Sequence, residues 1–188
     1  EILRCLVGSE MCIRDSGWGV FLIEDNFVEK TFLATDKRRT ELIHKDIYDQ
    51  TGKLVTPSPV RGYFSAKYVD PDFIGERTSA RPFLIRYSDI ALVFAEAAGP
   101  DEGLALVNEI RRRAGIPELP EGMSLAEFRK AVIQERALEL AFEGNRLYDL
   151  RRTASVTATV PEATKLSEEQ AAFYPIPQRE LDLNPNVK

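Results

Sequence analysis

The chain has 188 residues, 44% hydrophobic and 29% charged, with a formal net charge of −5; this is the length of about one domain and the balance of a globular protein able to bury a core. The 25 Lys and Arg are outnumbered by 30 Asp and Glu, which gives the chain no net positive footprint for nucleic-acid phosphates. No apolar run approaches the roughly 20 residues of a membrane-spanning helix, and the first residues lack the charged start and apolar stretch of a signal peptide.

From Cys5 to Ser16 the sequence CLVGSEMCIRDS follows neither the helical nor the strand period. It resembles a translated sequencing-adapter read, so residues 1–16 are expected to be an artefact or a disordered arm, the alternative being a genuine N-terminal arm. Arg4 precedes Cys5 where a lipoprotein signal would place a small residue, so Cys5 is not read as an anchor. With Cys5 and Cys12 set aside no thiol remains, and thiolate metal and redox chemistry fall away.

Residues 17–81 are expected to form an irregular, loop-rich segment, with turn signals at Thr51-Gly52 and Pro57-Ser58-Pro59. Gly62-Tyr63-Phe64 and Lys67-Tyr68-Val69 suit short strands, and residues 23–32 suit a short helix leading into Asp36-Lys37-Arg38-Arg39-Thr40. His44 is the chain's one histidine, expected at the surface, which excludes a histidine triad and a histidine metal cluster.

Residues 82–188 carry the helical period. Ile90, Phe94, Ala97 and Ala98 fall on one face of a first helix, which is expected to be its buried face, and Gly99 is a stop signal. A second helix starts at Pro100-Asp101, buries Leu104, Val107, Ile110 and Ala114, and ends at Gly115 and Pro117. The third has the clearest start, a capping box of Ser124 and Glu127, and a seam of Leu125, Phe128, Val132, Leu138 and Phe142. Gly144 is expected to break the axis before a short helix at 145–152 with Leu147 and Leu150 inward. The fold class is therefore mainly α, with tetratricopeptide-like helical hairpins in which each pair covers its neighbour's apolar face.

Two readings compete for Glu135, Glu139 and Glu143, which recur every fourth residue. Glycoside hydrolysis uses two carboxylates about 5 to 9.5 Å apart, a distance that helical neighbours can reach. The favoured reading is a structural ion-pair network of Glu135, Arg136, Glu139, Glu143, Arg146, Asp149 and Arg151, because partly buried charges persist when paired. No phosphate-binding loop or nucleophile elbow occurs, and Gly17-Trp18-Gly19 is too short to cradle a phosphate. The candidate ligand-binding residues are aromatic: Trp18, Tyr63 and Tyr68, with Phe64 beside them, can stack on the C–H face of a sugar ring. Core packing competes for each, and Trp18, flanked by glycines, is the best placed.

In order, Arg86-Tyr87-Ser88-Asp89 opens an apolar helix ending Ala95-Glu96-Ala97, an arginine-rich helix end closes at Ala114-Gly115, and Glu135-Arg136 leads to Asp149-Leu150-Arg151-Arg152. Tyr174-Pro175-Ile176-Pro177 and Asn184-Pro185 follow, and upstream stand Asp36-Lys37-Arg38 and Lys67-Tyr68. Together these strings resemble the C-terminal part of the SusD/RagB family of bacterial surface glycan-binding lipoproteins. The resemblance implies a fragment of a larger SusD-like fold, without its lipid-anchor region and N-terminal helices. It implies non-enzymatic binding of oligosaccharide or polysaccharide at the outer membrane of Bacteroidota, for polysaccharide utilization together with a SusC-like TonB-dependent transporter. No catalytic residue, cofactor or metal carries over. The alternatives are a peptide-binding RagB-like protein, an intracellular helical-repeat scaffold and, last, a glycoside hydrolase using Glu135 or Glu139.

Overall fold

A computed structural model describes residues 23, 25–45, 63–68, 79, 81, 83–160, 163, 165–172 and 176–184. The chain divides into two units, Glu1–Gly144 and Asn145–Lys188, and is mostly helical. Trp18 and the stretch 1–16 lie outside the described residues.

In the first unit α1 (Asp25–Thr31) precedes α2 (Lys37–Leu42), whose first turn is capped by the Asp36 carboxylate accepting from the Arg38 amide at 2.9 Å. Two short antiparallel strands follow, β1 (Ile43–His44) and β2 (Phe64–Ser65), pairing Ile43 with Ser65 and His44 with Phe64. His44 is half-buried rather than exposed on this pair. Val28, Phe32, Ile43 and Leu138 form a buried cluster, with Phe27 edge-on to Phe32 and Phe142 at 5.6 and 6.4 Å.

Three longer helices build the other core of this unit: α3 (Tyr87–Ala98), α4 (Pro100–Ala114) and α5 (Leu125–Glu139). Gly99, at φ 87°, turns α3 directly into α4, and Pro100 takes the first helical position, where its missing N–H costs nothing. Gly115 closes α4 in the left-handed conformation, its N–H reaching the Arg112 carbonyl while that of Ile116 reaches Arg111. Asn108 ties down the following loop, exchanging hydrogen bonds of 2.7 and 3.1 Å with the Leu119 backbone. Ser124 and Glu127 make both bonds of the capping box at the start of α5.

The face that α3 buries differs from the expected one. Ser88, Ala91, Leu92 and Ala95 point inward, whereas Ile90 and Phe94 are 54% and 46% exposed and Ala97 and Ala98 face outward. The helix is apolar nearly all round, so periodicity leaves two candidate faces. Backbone approach selects between them: a Cβ placed on Gly103 of α4 would stand 2.7 Å from the Ala95 Cα, so α3 presents its narrow Ala91/Ala95 side to α4.

Two further expectations are corrected. α5 ends at Glu139 rather than running to Gly144, and Phe142 takes a left-handed conformation at φ 67° that turns its ring into the Val28–Phe32 cluster. The exit from α5 is tied down, since Lys67 Nζ donates to the carbonyls of Glu139 and Ala141 at 3.0 and 3.1 Å, and Arg86 Nη2 to that of Glu139 at 2.6 Å. Leu125, at the exposed start of α5, is also 47% exposed rather than part of the seam.

The second unit contains α6 (Arg146–Arg152), α7 (Val156–Thr159), α8 (Glu168–Ala172) and α9 (Gln178–Leu183). Its small core is Leu150, Val156, Ala163 and Ala171. Leu147 is 38% exposed rather than inward, since Leu150 is the side chain of α6 that packs with Val156, Ala163 and Ala171.

Candidate functional site

On α5, Glu135 and Glu139 lie one turn apart on one face, and Glu143 follows just beyond the helix end. Glu135 is fully buried and Glu139 4% exposed, so each needs a compensating charge. The cations come from four separate segments. Arg38 grips Asp36 through two parallel bonds of 2.9 and 2.8 Å and donates to Glu135 Oε1 at 2.7 Å and Glu139 Oε2 at 3.2 Å. Arg111 closes the other side of Glu135 with an Nη1–Oε2 bond of 2.6 Å. Arg86 donates to Glu139 Oε1 at 2.7 Å and to both Glu143 oxygens at 2.8 and 2.9 Å, while Arg113 pairs with Glu139 and Lys67 with Glu143.

This network holds α2, the segment at Lys67, α3, the end of α4 and α5 in one arrangement. Burial alone would raise the Glu139 carboxyl, but hydrogen bonds from Arg86 and Arg113 outweigh it and hold the group at about 2. Burial pushes the Lys67 ammonium below its ordinary value, with Glu143 opposing the shift. For Arg86 the bonds to Glu143 and Glu139 outweigh burial, and its guanidinium lies above the ordinary value.

The remaining candidates lie elsewhere. Arg136 donates to Asp89 Oδ1 at 2.8 Å, away from the three glutamates. In the second unit Asp149 is held by Arg152 at 2.8 Å, and burial lowers the Arg146 guanidinium below its ordinary value, with the Asp149 charge opposing the shift. Arg151 lies half-buried on the same helix. The sequence alone did not pick out Arg38, Arg86, Arg111, Arg113 and Lys67 as partners. Asp36-Lys37-Arg38, Lys67-Tyr68 and Arg86-Tyr87 stood out as strings, yet nothing local says that they converge on α5.

Tyr63 is half-buried, its hydroxyl 3.5 Å from Glu29 and its ring 4.8 Å from the Lys45 ammonium. Tyr68 is 7% exposed, with its ring 5.6 Å from that of Phe83, which is itself 45% exposed. A cavity of about 380 Å³ opens beside the network, between Lys37, Leu42, Lys67, Phe83, Arg86 and Arg113. A wider cleft of about 790 Å³ runs along α4 and the loop after it, from Pro100 and Leu104 to Leu119 and Met123.

Chemically, the arrangement is poor in reactive groups. A glycosidase acid needs a raised pKa to be protonated at neutral pH, whereas Glu139 is shifted downward and both Glu135 oxygens already accept from guanidinium groups. Among the described residues no three His, Cys, Asp or Glu side chains gather as metal ligands, and no helix is long and apolar enough to cross a membrane.

Comparison with known proteins gives a consistent result. The family model described as the SusD family matches residues 47–188. SusD-like protein P2 of Formosa agariphila is 36% identical over 90 residues, which is 42% of this chain and 18% of that protein. A SusD homolog from Bacteroides thetaiotaomicron, known from its crystal structure, is similar with a TM-score of 0.63 at 27% identity, over 82% of this chain and 40% of that one. A laminarin-binding SusD-like protein is similar with a TM-score of 0.58 at 28% identity, over 78% of this chain and 33% of that one. The chain spans less than half the length of each of these relatives.

Proposed function

Because this chain belongs to the SusD family, we propose that it is part of a cell-surface protein that binds oligosaccharides without cleaving them and passes them to a SusC-like TonB-dependent transporter. The observation that carries this reading is the match over residues 47–188, joined to the similarity with a laminarin-binding SusD-like protein. The commitment of Glu135, Glu139 and Glu143 to cations supports binding over turnover. The protein sits in this reading at the outer-membrane surface as a lipoprotein. Sugar rings stack on Trp18 and Tyr63, while Tyr68, buried against Phe83, sets the position of that half-exposed ring.

The test is calorimetric titration of the intact protein with laminarin and a panel of other oligosaccharides, with short peptides as the competing arm. Saturable binding of an oligosaccharide without release of reducing ends, weakened about tenfold or more by Trp18→Ala, is expected. Binding of peptides alone, or release of reducing sugar abolished by Glu135→Gln, would overturn the reading. Unchanged affinity in Trp18→Ala would remove that residue from the site.

A further inference from the structure

We propose that the cavity beside the ion-pair network is an anion-binding subsite that takes the carboxylate or sulfate substituent of an acidic sugar, an inference that rests on the glycan-binding reading above. The cavity lining is rich in cations. The walls carry five cations, Lys37, Arg38, Lys67, Arg86 and Arg113, against two carboxylates, Glu41 and Glu139. Asp36, Glu135 and Glu143, which pair with Arg38, Lys67 and Arg86, do not line the cavity. Arg38, Lys67 and Arg86 are thus neutralised from behind, and in a chain whose net charge is −5 the anion affinity of this concavity falls to Lys37 and Arg113.

Two of the five cations have capacity to spare. Lys37 is exposed, its stem lies against the Gly115 turn, and its ammonium pairs with no carboxylate among the described residues. The Arg113 side chain is 59% exposed and meets Glu139 through one nitrogen, leaving guanidinium N–H groups to donate to a bidentate oxyanion. Arg38, Arg86 and Lys67 are held rigidly behind them by the network, so the wall that carries Lys37 and Arg113 is preorganised rather than assembled on binding.

The rest of the lining suits a sugar ring. Leu42 and Ala114 supply apolar surface, and the half-exposed Phe83 ring is positioned by Tyr68 at 5.6 Å and by the Arg86 guanidinium at 5.8 Å. The volume of about 380 Å³ falls within the roughly 300–1,000 Å³ of small-ligand sites. An acidic sugar can thus place its ring on Phe83 and its anionic group between Lys37 and Arg113.

The experiment titrates the intact protein with an oligogalacturonate, a sulfated galactan oligosaccharide and neutral laminarin at fixed ionic strength. It compares the wild type with Lys37→Glu and with Lys130→Glu, a charge reversal of equal size on the exposed side of α5. At least one acidic oligosaccharide is expected to bind more tightly than laminarin, and to weaken about tenfold in Lys37→Glu and not in Lys130→Glu. The oligosaccharide that responds identifies carboxylate or sulfate as the anion. Laminarin binding that equals or exceeds both acidic probes, or equal losses in the two variants, overturns the subsite and leaves the glycan reading standing. Binding of no oligosaccharide overturns both.

Discussion

Replacing Gly103 with alanine sets helix propensity against packing, and the structure says which wins. In an exposed helix interior the change stabilises by about 1 kcal/mol, since alanine surrenders less backbone entropy than glycine. At Gly103 the new Cβ would lie 2.7 Å from Ala95 Cα, 2.8 Å from its carbonyl oxygen and 2.9 Å from its Cβ. Reaching ordinary contact near 3.4 Å requires α3 and α4 to separate by about 0.7 Å. That movement loosens Leu92, Val107 and Phe128, all fully buried at the junction with α5. Overpacking costs about 1–3 kcal/mol, and the upper part of that range applies because the obstacle is backbone. A net destabilisation of about 1–2 kcal/mol is expected after the propensity gain is subtracted. Urea unfolding of the intact protein reads it as a lower midpoint at unchanged slope. Ala105→Gly, on the exposed side of the same helix, measures the propensity term by itself. Ala95→Gly should rescue only part of the loss, because two of the three close atoms belong to the backbone. A Gly103→Ala protein as stable as the wild type would refute the claim that close approach chose the buried face of α3.

Glu135→Gln leaves Arg38 and Arg111 facing a neutral amide in a fully buried position. It is expected to cost about 3–5 kcal/mol, read by thermal unfolding, and a change below about 1 kcal/mol would mean that solvent or relaxation satisfies the arginines. The Glu139 carboxyl is depressed from 4.5 to about 2 in the folded chain, so its contribution is fully present above pH 4.5 and is lost as pH falls toward 2. Unfolding midpoints measured from pH 6 to pH 2 should therefore drop more steeply in the wild type than in Glu139→Gln, and parallel curves would contradict the assigned pairing.

Much of the helical framework was legible because its signals are local. A capping box, a Gly-Pro junction and a glycine that ends a helix each act within four or five residues, through hydrogen bonds and backbone sterics that any neighbouring structure must respect. Ser124 with Glu127, Gly99 with Pro100, and Gly115 therefore mark their helix ends unaided. The glutamates of α5 also announced themselves by their fourfold spacing, although their spacing does not reveal which cations they meet.

Tertiary structure decided the rest, and in each case the cause lies far along the chain. Ile90 and Phe94 face outward because Gly103 and Ala95 let two backbones meet at the thinner side of a helix that is apolar nearly all round. α5 stops at Glu139, where Lys67 and Arg86 both donate to the Glu139 carbonyl and Phe142 turns into the cluster around Val28. Glu135 meets Arg38 across 97 residues, and the cationic cavity exists because α2, α3 and α4 bring Lys37, Arg86 and Arg113 to one opening. Hydrophobic period and capping residues determine where helices form, since those forces act along the chain. Which face is buried, where a helix stops and which charges share a cavity depend on the distances between segments, and those are set by packing the whole.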